Sequence, residues 1–201
     1  TYTKMVSRSR RFGIPASVRD PDIKKGEKKM GAISWSIVAG VVGMLFALYL
    51  YLVMVGKAAG NEKMKEISGL IYEGAMAYLN RQYRAVLIFI VVVFFVLALL
   101  INIYVAAAYV FGGICSVLAG YIGMNAATRA NVRTAAAAAE KNQAKALGIA
   151  FSGGAVMGMA VASIGVLGLG ILFYFAKGIA LKAAIVGGYS MGASSIALFA
   201  R

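Results

Sequence analysis

The chain has 201 residues, of which 61% are hydrophobic and 14% charged, with a formal net charge of +14. Soluble domains run at roughly 45–50% apolar, so these figures exclude an ordinary water-soluble globule: too few charges remain to coat the apolar surface. The absence of histidine and the single cysteine, Cys115, exclude a Cys/His metal site, a His-based nucleophilic triad and an intrachain disulfide.

Residues 1–30 read as a basic, disordered tail. They carry both prolines and nine of the 21 Lys and Arg, and they show no apolar periodicity. A cleavable signal peptide fits poorly, because the apolar run that follows is long enough to span. Met30, just ahead of that run, is a candidate natural start. The first span is expected at about 31–55, with Trp35 near one interface and Tyr49 and Tyr51 near the other, depths that amphipathic rings favour. In the connection that follows, Ile67, Leu70, Ile71, Ala75, Tyr78 and Leu79 recur at helical spacing. This predicts an amphipathic helix continuing into the second span.

From Ala85 to Thr128 there is no charge. A helix needs about 20 residues to cross the hydrocarbon, so this stretch is too long for one crossing and right for two. A tight turn is placed at Ile101–Tyr104, around Asn102, giving spans at about 85–100 and 105–125. The alanine run 135–139 is a strong helix former and extends the third and fourth spans past the membrane. The fourth span is expected at about 146–176 and the fifth at about 183–201, separated by a short loop holding Lys177 and Lys182. The predicted fold class is therefore all-α integral membrane, with five transmembrane helices.

The charge sits in the connections, where membrane proteins carry it, so no nucleic-acid partner is expected. With the tail counted, eleven basic residues fall on one side and ten on the other. Without residues 1–29 the count is two against ten. The positive-inside rule then places 57–84 and 129–145 in the cytoplasm. Gly112, Ser116 and Gly120 lie four apart, as do Gly154 and Gly158, and Gly188 and Gly192. Such stripes favour close helix packing over a pore lining.

No Asp or Glu lies in any expected span, although ion pumps usually move their ions through buried carboxylates. No phosphate-binding loop of the GxxxxGK[ST] type is present. Glu62/Glu66 and Asp20/Asp22 read as solvated charges. Glu73 reads as one half of an interfacial salt bridge with the face carrying Arg81 and Arg84, in preference to a catalytic group. Arg201, at the far end of an apolar run, either snorkels to the membrane edge or faces a polar cavity.

Four segments resemble the membrane-bound, proton- or sodium-pumping pyrophosphatases: IYEGAMAYLNRQYR (71–84), FGGICSVLAGYIGMNAATRANVRTA (111–135), ALGIAFSGGAVMGMAVASIGVLGL (146–169) and GGYSMGASSIALFAR (187–201). Their order and spacing are those of the start of that family, from residue 31 onward. The resemblance implies a bundle of about sixteen helices, working as a homodimer in the lipid bilayer of a cell or an acidic compartment. It implies that inorganic pyrophosphate, complexed with Mg2+ and in some members aided by K+, is hydrolysed and the energy coupled to ion pumping. It implies that the first four spans are scaffold and the fifth belongs to an inner ring. Arg201 would lie in the ion-coupling channel. The Asp-rich catalytic and metal-binding motifs would follow Arg201, so no catalytic or metal-binding residue is expected in this chain, and the fragment alone is expected to be inactive. The alternatives from other classes are a non-enzymatic five-span scaffold or assembly protein, and a truncated secondary transporter, for which an inverted repeat would be the sign.

Overall fold

The computed structural model describes residues 21–175 and 182–199. Among them every regular element is helical: α1 (Pro21–Val55), α2 (Glu62–Leu100), α3 (Ile103–Ala139), α4 (Gln143–Phe175) and α5 (Lys182–Phe199). Arg201, and the loop residues 176–181 with Lys177, lie outside the described residues. The chain divides into two units, Thr1–Trp35 and Ser36–Arg201. In the first, α1 already begins at Pro21, within the stretch read as tail. Proline suits a first helical position, because its missing N–H would have no partner there. Apolar periodicity marks only helices with a buried face, so a polar helical turn escapes it.

Among the described residues four helices, α1 to α4, are long and apolar enough to cross a membrane. In α5 the Lys182 end, three glycines and three serines dilute the apolar character. At 1.5 Å per residue, the 39 residues of α2 and 37 of α3 extend about 55–60 Å, nearly twice the hydrocarbon thickness of about 30 Å. Their surplus is the polar first half of α2 and the last third of α3. Large apolar side chains point outward along α1 and α2: Val42, Leu45, Leu52, Leu87, Ile88 and Val92 are all exposed. Water would penalise such a surface, whereas lipid accepts it.

Helix α3 is the centre of the Ser36–Arg201 unit and packs against α2, α4 and α5. Val86, Ile90 and Leu97 of α2 close on Ala106 and Tyr109 of α3 and Ile196 of α5. Val105, Ala108 and Cys115 close on Ile185 and Tyr189 of α5. Met54 of α1 sits among Ala130, Ala137, Ala146 and Ile149 of α3 and α4. Small side chains dominate α3, and in an apolar solvent close backbone approach is what holds helices together. Hydroxyls inside the helices bond back to carbonyls: Thr128 Oγ1 donates to Met124 O at 2.8 Å, and Ser195 Oγ to Met191 O at 2.7 Å.

Candidate functional site

Helix α5 leads toward Arg201, and its seat is a crossing without side chains between the backbones. A Cβ built on Gly112 of α3 would fall on the carbonyl oxygen of Tyr189. One built on Gly192 of α5 would fall on the carbonyl oxygen of Tyr109, and one on Gly188 would lie 2.6 Å from Val105 O. Any larger residue at these places forces two backbones apart. The packing reading of these stripes therefore holds at Gly112, Gly188 and Gly192. At Gly154 and Gly158 a built Cβ would meet nothing within 4 Å among the described residues, so no close crossing with the other described helices occurs there. Spacing identifies a face but not whether a partner covers it.

Tyr189 projects from this crossing between α3 and α4. It is buried, its ring centroid lies 5.8 Å from that of Phe111, and its hydroxyl donates to Gly165 O at 3.4 Å. The hydroxyl and ring edge occupy the space that a side chain at Gly168 would take. Cys115 is buried in the same cluster, with a free thiol.

A second feature lies at the polar end. Arg133 of α3 reaches the end of α1: Nη2 donates to Val55 O at 2.9 Å, and Nε lies 3.1 Å from both Val55 O and Lys57 O. Nη1 donates to Arg129 O at 2.8 Å. The guanidinium thus takes carbonyls that the helix terminus leaves without partners, at the end where the helix dipole favours a cation. This clamp puts the 56–61 connection and the turn at 140–142 at one end of the unit, opposite the Ile101–Asn102 turn.

Among the described residues the ion pairs are Lys65–Glu62 and Lys145–Glu140, both 2.7 Å and at the surface. Glu73 is exposed and pairs with neither Arg81 nor Arg84. Eight and eleven positions separate them, beyond the three or four that bring helical side chains together. No group of three or more His, Cys, Asp or Glu able to hold a metal occurs among the described residues. With Glu62 and Glu140 engaged by lysines, these acids do not fit a site for a metal-bound pyrophosphate.

Tyr189, Gly168 and Arg133 carry this geometry, and sequence reasoning missed all three. Two signals were there to find. Tyr189 is the one bulky aromatic in the small-residue run 187–195. Arg133 falls on the face of α3 marked by Ala126, Ala130 and Ala137, where a small residue would be in keeping.

The family model for inorganic H+ pyrophosphatase matches residues 41–201. A Clostridium tetani protein whose name describes a K(+)-stimulated pyrophosphate-energized sodium pump is 50% identical over 169 residues, covering 84% of this chain and 24% of the relative. K(+)-insensitive pyrophosphate-energized proton pumps of Methanosarcina mazei and Moorella thermoacetica are 43% and 42% identical, over 82% and 81% of this chain and 24% of each relative. The chain thus spans about a quarter of the length of these relatives. With four fifths of its residues inside the family model, and with helices built for a membrane, the chain belongs to the inorganic H+ pyrophosphatase family.

Proposed function

We propose that residues 31–201 are the N-terminal scaffold of a membrane pump that hydrolyses inorganic pyrophosphate and uses the energy to move protons or sodium ions. The observation that carries this reading is the match of residues 41–201 to the family, with relatives named as pumps of both kinds. In this reading α1 to α4 are scaffold, and α5 delivers Arg201 to the channel that couples hydrolysis to ion movement. The Mg2+ that would neutralise pyrophosphate charge would be held by other parts of the longer protein, as the family resemblance implies. K+ stimulation is a property named for one relative and denied for others, and here it is a trait to be measured. The working unit is a homodimer, and the 57–84 and 129–145 connections face the cytoplasm.

The test uses inverted membrane vesicles holding the full-length parent. Added pyrophosphate with magnesium should drive proton or sodium uptake, and Arg201→Ala should leave the protein inserted while abolishing or uncoupling that uptake. Uptake at parental rate and stoichiometry in the variant would remove Arg201 from the coupling path.

A further inference from the structure

Helix α5 is seated by two kinds of contact that do different work. The glycine crossing with α3 sets how closely the two helices approach, and Ile185 and Ile196 seat α5 in the clusters it shares with α3 and α2. Tyr189 adds a restraint from a third helix, α4. Its carbonyl lies over Gly112, its ring lies against Phe111, and its hydroxyl end enters the notch over Gly165 and Gly168 of α4. The hydrogen bond to Gly165 O is long at 3.4 Å and weak by ordinary geometry, so the fit of ring and hydroxyl into the notch carries the restraint. A rigid aromatic wedge in a gap that admits no Cβ allows one axial position and one rotation of α5. Packed interiors yield little to such a wedge.

We propose that Tyr189 and Gly168 form a register key for α5, and that they are positioning residues for ion coupling. The proposal rests on the reading that Arg201, two residues past the end of α5, lies in the coupling channel. Three helices meet at the key, so α5 cannot shift without disturbing both α3 and α4.

The experiment reconstitutes the full-length parent in lipid vesicles and measures ions moved per pyrophosphate hydrolysed, together with KM for magnesium pyrophosphate. Gly168→Ala overfills the notch and Tyr189→Leu empties it. Overpacking and cavity formation at well-packed sites both strain the local fit, so each single change should lower the ion-to-pyrophosphate ratio below the parent's. KM should stay near the parent's, since the substrate site lies elsewhere. The double variant, which restores the volume, should regain most of the ratio. A merely structural role would lower amount or turnover without changing stoichiometry. If Gly168→Ala does not insert, Tyr189→Leu alone carries the test. A parental ratio in either inserted single variant, or a loss that the double variant does not relieve, overturns the key. A parental ratio in Arg201→Ala, measured alongside, instead overturns the reading beneath it.

Discussion

The last carbonyl of α1, Val55 O, would stand without a partner, and Arg133 takes it together with Lys57 O. Two of its nitrogens share Val55 O, one of these also reaches Lys57 O, and a third holds Arg129 O within its own helix. Lysine offers a point charge in place of this planar fork. Arg133→Ala should therefore destabilise the protein in detergent by about 1–3 kcal/mol, and Arg133→Lys should recover less than half of that, read by thermal unfolding. Equal stability of all three would show that water satisfies those carbonyls as well as the guanidinium does. The residue scale is also where the sequence was least legible. Arg133 reads as one more topological charge until a partner 78 positions away is known. Glu73 invites an ion pair that its spacing forbids. Tyr189 and Gly168 gain meaning only from each other, across helices that the sequence does not order in space.

At the scale of elements, legibility was high where chemistry is local. The uncharged run 85–128 is divided by Asn102, whose side chain accepts from Tyr104 N at 2.9 Å and starts α3 after a two-residue turn, Ile101–Asn102. An asparagine cap after a reversal is a signal read within one turn. Asn102→Ala should cost about 0.5–2 kcal/mol, seen as a lower unfolding temperature in detergent, while Asn102→Ser should be close to neutral. A neutral alanine variant would mean that lipid headgroups or water replace the cap. The α2 stripe shows where local reading stops. The spacing of Ile67, Leu70, Ile71, Tyr78 and Leu79 marks a helix, and α2 is helical throughout, yet only Leu79 of these is buried. Periodicity reports which side chains share a face. What covers that face is a tertiary fact that no local pattern contains.

For the whole molecule, membrane residence followed from composition, because 61% apolar residues with charge confined to the connections leave no soluble alternative. The proposed sidedness rests on the basic count, and the Arg133 clamp adds that the 56–61 connection lies beside the polar end of α3. Single cysteines at Asn61 and at Asn142, both exposed, in a Cys115→Ser background should resist an impermeant thiol reagent in intact cells and react once the membrane is opened. Labelling of either from outside would invert the topology, and labelling of one alone would contradict the clamp. The central claim is that this chain is scaffold, to which other parts of a longer protein bring the chemistry. Clustered carboxylates are needed to hold metal ions on a phosphate anhydride and to activate water, and the chain's seven Asp and Glu are scattered, three of them before residue 30. The most direct measurement is magnesium-dependent phosphate release from pyrophosphate by purified residues 1–201 beside the full-length parent, in the same detergent and lipid. The account predicts turnover by the parent and none above background by residues 1–201; turnover by the shorter protein would contradict it.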